Sequence, residues 1–595
     1  MKDDVTEQRR PDGCSPGGVL QVDKRPAKSH QFGLAALTFA AVTGALSWAG
    51  FSGIYGEPEG STRIPGTFTQ VWPMLAQLGF ACSTTAMFAR SWRSGKPIES
   101  ANIWLEKHYR TCLLLLITLV AFSLSVAVLA LRGFPNSGDE YDYLFEAATF
   151  RAGRLWNPLP PVEHAFSFYW IAERDGKWVA QYFPGWPLIL ATFTSLKLPS
   201  FVAPPALALL LLFVFSGLAL AIAGPLPALI GAALLSLCPF FLLNGASYFS
   251  HIPTALFGVL FVYGWSRYLE KASALSAALA GAALGAAGVI RPFTVLALVL
   301  PSAIEFFRRG ERRHYVRLPA FLLAGLPFLI GLLTYDKAIT GNSFLTPEAW
   351  TEPQLHIGLL PVDENGRMIS LAETIGMAFS RFFRLSEWTS PLLLVLYTAA
   401  FLWKTYRFRI AFYDLVFPLL VFSYLFFPDL GGNAYGPRYY FDAYPFMVLT
   451  TVTALAAWMT ETRDAKLKAG AAAAVAGAII MGFGAFPALA YQMHRIVDQR
   501  MEPFDLVARA RLSNAIVIVH SPTGSAFPMR MEPRDLTRNG IDFSGSVLYA
   551  LDVPDGSCAL SRAFPGRSFY RYEAIGGHYP GQLVPIVPCQ TSQQS

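Results

Sequence analysis

Apolar stretches of membrane length recur from Leu34 to Tyr491, and they constrain this chain more than any other feature. A helix needs roughly 20 apolar residues to cross a bilayer core, within a range of about 17–25. Candidates are Leu34–Ile54, Val71–Ala89, Leu113–Leu131, Ala206–Ile222, Leu226–Leu243, Ile252–Tyr268, Ser273–Ile290, Phe293–Phe307, Val316–Tyr335, Thr389–Trp403, Phe412–Phe427, Phe441–Met459 and Ala469–Tyr491. That makes thirteen expected spans. Composition agrees: 53% of the 595 residues are hydrophobic and 15% charged, against about 25% charged in a soluble domain. The expected fold class is an all-α polytopic membrane protein of about thirteen transmembrane helices. The net charge of +7 comes with no basic stripe interleaved with aromatics, so no nucleic-acid partner is expected. Residues 1–33 are polar, lack a signal-peptide pattern and read as a disordered cytoplasmic tail.

Basic residues in short loops orient the spans. Lys24, Arg25 and Lys28 precede the first; Arg90, Arg93, Lys96, Lys107 and Arg110 lie between the second and third. "RRGERRHYVR" (Arg308–Arg317), then Lys404, Arg407 and Arg409, then Arg463, Lys466 and Lys468 follow. Thirteen spans put all of these on the cytoplasmic side, with the N-terminus. "PGWPLILATF" (Pro184–Phe193) is too short, and counting it as a span would invert every later loop; it reads as an interfacial or re-entrant helix. The outer face then carries Arg132–Pro205, Asp336–Trp388, Pro428–Tyr440 and the tail Gln492–Ser595. The expected layout is a tail (1–33), two extra spans with a basic loop (34–111), a membrane module (112–491) with outer loops 132–205 and 336–388, and an outer domain (492–595).

"SGDEYDYLFEAATF" (Ser137–Phe150) opens just beyond the third span with Asp139, Glu140 and Asp142. One reading is a helix start: Asn136, Ser137 or Asp139 caps, and the first turn favours acids. Tyr143, Ala147 and Phe150 have helical spacing. Other outer-face turns carry "NGASYFSHIPTALF" (Asn244–Phe257), "GVIRPFTV" (Gly288–Val295) and "GGNAYGPRYYFDAYPF" (Gly431–Phe446). Arg291 and Arg438 fall at outer ends of spans, where an ionisable group needs a partner or a ligand; snorkelling to lipid headgroups is the plain alternative. A carboxylate cluster, two arginines and a histidine on one face suggest a site for a substrate carrying phosphate.

At these residues the chain resembles the GT-C-type glycosyltransferases, in the branch of the protein O-mannosyltransferases and the lipid A aminoarabinose transferase. "GDEYDYLFEA" and "QYFPGWPLIL" are similar to that family's first outer loop; "SYFSHIPTALF", "GVIRPFT" and "GPRYYFDAYPF" are similar to its later landmarks. The resemblance covers about Leu113 to Tyr491. The two N-terminal spans and the particular C-terminal domain depart from it and leave the acceptor open. It implies a polyprenyl-phosphate sugar donor, a glycan, lipid or protein acceptor, and an outer-face active site at a bacterial cytoplasmic (inner) membrane. By that resemblance Asp139 is the general base of an inverting transfer, and Glu140 holds the acceptor or tunes Asp139. Arg438 and Arg291 hold the donor phosphate, while Tyr439, Tyr440, His251 and Tyr182 complete the phosphate and sugar site. No cofactor is expected. No His/Cys/Asp/Glu spacing reads as a metal site, and a divalent cation near Asp139 is left open.

The tail changes composition. "NAIVIVH" and "GSVLYALD" are strand-like, and a small α/β domain in the periplasm is expected. Cys558 and Cys589, the two cysteines on that side, are expected to form a disulfide. The rival function is a transporter or flippase of lipid-linked glycans. Such proteins often show internal repeats and a polar site near the bilayer midplane. No clear repeat is present here, and the acids sit in a long loop. A membrane anchor or sensor for the tail domain would leave most of the spans and all of these loops without a role.

Overall fold

A computed structural model describes residues 96–309, 311–353, 357–358, 361–362, 366–427, 435–519, 533–573 and 581–589, with side chains from residue 104 onward. The polar tail and the two expected spans Leu34–Ile54 and Val71–Ala89 lie outside the described residues. The rest is mostly helical, with a small mixed sheet near the C-terminus.

Among the described residues, five helices are long and apolar enough to cross a membrane: Trp104–Ala130, Ser200–Ala223, Arg312–Thr340, Arg438–Glu461 and Ala465–Arg509. Leu371–Trp388 and Pro391–Tyr406 add a sixth only if taken as one span, and they bend by 116° at their junction. The expected count of thirteen, two of which lie outside the described residues, is not confirmed by that measure, and three of the other expected spans are broken, shortened or irregular. Leu226–Leu243 breaks at Leu237–Cys238, ahead of Pro239, into Pro225–Ser236 and Pro239–Asn244. Ser273–Ile290 contracts to Ala274–Gly288. Phe412–Phe427 alternates between 3₁₀ and α geometry.

We number the helices α1 (Lys96–Ala130), α2 (Gly138–Arg151), α3 (Gly185–Ser195), α4 (Ala203–Ala223), α5 (Pro225–Ser236), α6 (Pro239–Asn244), α7 (His251–Lys271), α8 (Ala274–Gly288), α9 (Pro292–Arg309) and α10 (Arg312–Thr340). They continue as α11 (Pro347–Thr351), α12 (Leu371–Trp388), α13 (Pro391–Tyr406), α14 (Val416–Ser423), α15 (Tyr444–Glu461) and α16 (Ala465–Arg509). None of the apolar window of α10 is buried inside the protein, so that helix turns its apolar surface outward, as a lipid-facing helix does. It meets α8 through glycine: a Cβ on Gly281 would collide with the Phe321 carbonyl oxygen. Small residues of this kind let membrane helices approach closely. The chain is a multi-pass membrane protein.

Lys404 is not a loop charge. It is buried on α13, and its ammonium donates to both oxygens of Asp414 (2.7 Å each) and to Thr453 Oγ1 (3.0 Å). The pair ties α13 to the 3₁₀ turn Phe412–Leu415 and to α15.

Beyond α16, strands β4 (Ala515–Val519), β5 (Val547–Leu551), β6 (Ser568–Glu573) and β7 (Gln582–Ile586) form one sheet in the order β5-β4-β6-β7. β4 is parallel to β5 and β6, and β7 is antiparallel to β6. With α17 (Gly556–Ala563) this is the expected small α/β domain. It begins later than Gln492, because α16 runs unbroken to Arg509. Cys558 and Cys589 are disulfide-bonded, with Cα atoms 4.5 Å apart. A second, small sheet of β1 (Asn157–Pro158), β2 (Ile171–Arg174) and β3 (Lys177–Ala180) lies between α2 and α3.

Candidate functional site

The site is built at the end of the bundle where α1 gives way to α2. Ser137 caps α2, its hydroxyl accepting from the Glu140 amide (3.3 Å). Acids in the first turn suit the helix dipole. Glu140 is wholly buried, and both its oxygens are engaged: Oε2 accepts from the Asn136 amide (2.9 Å) and Oε1 from the Tyr248 amide (2.8 Å). Burial is the main cause that pushes its carboxyl up to about 7. Glu140 thus joins the start of α2 to the turn before α7. Tyr248 extends that junction: its carbonyl accepts from Trp186 Nε1 (2.6 Å) and its hydroxyl donates to the Gly133 carbonyl (3.1 Å).

Asp139, one residue earlier, keeps a little exposure. Oδ1 accepts from the Tyr182 hydroxyl (2.8 Å) and Oδ2 from Arg438 Nη2 (2.8 Å). Burial holds the Tyr182 phenol well above its ordinary value, so it stays a donor. Tyr182 precedes α3, whose first residue is seated by a bond from the Gly185 amide to the Val289 carbonyl (2.9 Å); a Cβ on Gly185 would come within 2.7 Å of that oxygen.

A second carboxylate organises the other half. Asp442 is buried, with Oδ1 on His251 Nδ1 (2.8 Å) and Oδ2 accepting from Arg291 Nε (2.9 Å) and Thr294 Oγ1 (2.5 Å). Arg291 continues to the Tyr424 hydroxyl (2.8 Å) and to Ser250 Oγ (3.4 Å), and Ser250 bonds the Tyr143 hydroxyl on α2 (3.0 Å). The Tyr143 and Tyr182 rings lie 5.0 Å apart, so the two halves meet.

Tyr439 is the common surface. Arg291, Arg381 and Arg438 sit 5.9, 5.1 and 5.2 Å from its ring centroid, and Tyr424 stacks on it at 5.0 Å. The structure therefore brings Asp139, Glu140, Tyr182, His251, Arg291, Arg438 and Tyr439 into one network. His251 sits behind Asp442, and the wholly buried Tyr440 ring packs beside Phe382 and Phe417. Asp442 and Arg381 escape the sequence reading. Asp442 stands inside "GPRYYFDAYPF", where a lone acid among aromatics at a span end was the available signal. Arg381 carries no motif; its signal was a cation on the apolar face of an amphipathic helix.

Below Asp139 on α2, Asp142 and Glu146 are also buried. Glu146 Oε1 accepts from the Tyr335 hydroxyl (2.8 Å), while Glu146 Oε2 has no hydrogen-bond partner among the described residues and Asp142 faces the backbone amides of Gln181 and Tyr182. Burial pushes Glu146 up to about 8 and Asp142 well above the ordinary carboxyl range, the latter with a further contribution from Glu146. Among the described residues, no group of three or more His, Cys, Asp or Glu is placed to hold a metal ion.

Residues 515–589 match a family described as a domain of unknown function, DUF7846. No curated protein matches the chain in sequence. Among solved structures, the chain is similar to ArnT from Cupriavidus metallidurans, in the apo state (TM-score 0.48) and bound to undecaprenyl phosphate (TM-score 0.46); each is 11% identical and covers 77% of this chain and 92% of that one. It is also similar to the Archaeoglobus fulgidus oligosaccharyltransferase in complex with Zn and sulfate (TM-score 0.43, 14% identical, covering 68% of this chain and 60% of that one). These structural neighbours are GT-C glycosyltransferases.

Proposed function

We propose that the protein is a glycosyltransferase that moves a sugar from a polyprenyl-phosphate carrier to an acceptor hydroxyl, with inversion, at the outer face of a bacterial cytoplasmic membrane. The observation that supports this reading is the pairing of Asp139 with Arg438 beside an arginine-lined Tyr439, at the end of a membrane bundle. The donor's tail belongs in lipid, so its phosphate and anomeric carbon come to rest at such an end.

Binding and chemistry then share one exchange of partners. The donor phosphate takes the guanidinium of Arg438, a group suited to bidentate contact with phosphate oxygens. Asp139 Oδ2 is released and accepts the proton of the acceptor hydroxyl, while Tyr182 holds Oδ1. The acceptor oxygen bonds to the anomeric carbon from the face opposite the phosphate. The bond from that carbon to the phosphate oxygen breaks, and its electron pair leaves on the polyprenyl phosphate, facing Arg438 with Arg291 and Arg381 nearby. Asp442 keeps Arg291 and His251 in place. Glu140, with both oxygens on backbone amides, orients the turn that carries Asp139 rather than holding the acceptor.

The test is Asp139→Asn in purified protein. Turnover of a polyprenyl-phosphate sugar should fall by about 10²–10⁴-fold, the usual worth of a general base, while polyprenyl phosphate still binds. An unchanged rate would remove Asp139 as the base, and a parent protein that releases no polyprenyl phosphate from any such donor would sink the transferase reading in favour of a transporter.

A further inference from the structure

The two peptide carbonyls that lead into α2 are held from outside the membrane module. The Pro135 carbonyl accepts from Arg538 Nη1, and the Asn136 carbonyl accepts from Arg500 Nη1. Arg500 belongs to the far end of α16, and Arg538 to the C-terminal domain beyond it. The Arg538 guanidinium lies 4.4 Å from the Phe134 ring centroid, 5.5 Å from Tyr141 and 5.8 Å from Phe168. All three rings come from the segment around α2.

The neighbours of Arg538 repeat the pattern. Tyr141, on α2, donates its hydroxyl to the Asn539 carbonyl (2.7 Å). Thr537 Oγ1 donates to the Ser167 carbonyl (2.7 Å), and the Leu551 amide at the end of β5 donates to the Ala165 carbonyl (2.7 Å). Asn539 is itself fixed to β5 through Tyr549, by bonds of 2.8 and 2.9 Å. Phe543 stacks on Trp178 of β3 at 5.4 Å, and Val162, Ala165 and Phe166 share a core with Ile516, Leu548 and Phe569 of the domain sheet.

We infer that the C-terminal domain is a working part of the active site. Through Arg538, seconded by Arg500, it clamps the Pro135–Asn136 lead-in and so sets where α2 presents Asp139. This rests on the reading of Asp139 as the base. Arg538 is a positioning residue; it acts through the Pro135 carbonyl and the Ser137 cap, which precede Asp139 by four and two positions. Misplacing a catalytic group by about 1 Å can cost about 10²-fold in rate, so a clamp at this point has leverage on turnover.

The experiment uses the full chain in nanodiscs, with Arg538→Ala, Arg538→Lys and, as a control within the same domain, Arg567→Ala. Arg567 bonds the Ser546 and Gly545 carbonyls inside the domain. Three quantities are read: release of polyprenyl phosphate from a panel of polyprenyl-phosphate hexoses and pentoses, binding of a polyprenyl phosphate, and amide exchange across residues 138–143. Arg538→Ala should lose about 10- to 100-fold in turnover, keep polyprenyl phosphate affinity within about twofold, and exchange faster at the start of α2. Arg538→Lys, which keeps the charge and N–H donors without the planar fork, should fall between it and the parent. Arg567→Ala should match the parent. A parental rate in both Arg538 variants overturns the inference, as does a phosphate-binding loss equal to the rate loss, or an equal effect of Arg567→Ala. Failure of the base assignment looks different: Asp139→Asn would turn over normally, while Arg538→Ala would still loosen α2.

Discussion

Arg438 donates to Oδ2 of Asp139 at 2.8 Å, so the two groups best suited to hold a leaving phosphate and to take a proton occupy each other. Each is the other's competitor for substrate. Removing the charge of Asp139 should therefore have opposite effects on two measurements. Single-turnover transfer by Asp139→Asn should slow by about 10²–10⁴-fold. Titration with a polyprenyl phosphate should show binding equal to or somewhat tighter than the parent's. Weaker binding would mean that the carboxylate does not compete with phosphate for Arg438.

Arg438→Ala should fail differently. A hydrogen bond to a charged group is worth roughly 1.5–3 kcal/mol, so polyprenyl phosphate affinity should fall by about one to two decades. Turnover should fall as well, because the same group faces the departing phosphate. Arg438→Lys should recover only part, since lysine keeps the charge without the planar fork. Parental affinity in Arg438→Ala would remove it from the phosphate site and leave Arg291 and Arg381.

The parts of this site that depend on local chemistry were legible in the sequence. Ser137 followed by two acids announces a capped helix start, and β-branched runs announce β4 and β5. The parts that depend on long-range packing were not. Nothing beside Arg538 in the chain shows that it meets Pro135, because the contact exists only once the tail folds back over α2. Asp442 and Arg381 fall in segments whose apolar pattern reads as span or amphipathic face, and only the fold reveals which neighbours they meet. The breaks at Cys238 and inside Phe412–Phe427 were hidden for a related reason: apolar composition persists across them while the helix does not.

Asp442 should matter more to folding than Asp139 does. It is buried and accepts from His251, Arg291 and Thr294 at once. Asp442→Ala leaves Arg291 without its carboxylate in a buried setting, where breaking an ion pair typically costs about 3–5 kcal/mol. Thermal unfolding in detergent should show a clear drop for Asp442→Ala and a much smaller one for Asp139→Asn. Equal midpoints would show that the network holds Arg291 without Asp442.

The disulfide should act locally. Cys558 and Cys589 are 31 residues apart and tie α17 to the chain just past β7. Replacing both by serine should weaken the C-terminal domain by about 2–4 kcal/mol. Limited proteolysis should nick the variant in that domain faster than the parent. In the parent, both cysteines should resist alkylation until a reductant is added; free labelling in the oxidised, folded protein would contradict the bond.

Three acids on α2 give stability a pH dependence of known sign. Glu140 faces Asp139 and Arg538, Asp142 faces Asp139 and Glu146, and Glu146 faces Asp142 and Tyr335. Burial raises all three carboxyls, Glu140 to about 7 and Glu146 to about 8. An acid whose folded value lies above its unfolded one binds its proton more tightly when folded, so the folded state holds more protons between those two values. Stability therefore decreases with pH across that window: the contribution is complete below about pH 4.5 and is lost as pH rises through about 7 and 8. The unfolding midpoint of the parent should fall between about pH 6 and pH 9. Glu146→Gln keeps the shape and accepts the Tyr335 hydroxyl without acquiring a charge, so it should flatten the slope and unfold later than the parent at the alkaline end. A parent midpoint that rises with pH, or a Glu146→Gln variant with an unaltered slope, would show that these carboxyls are not buried as protonated acids.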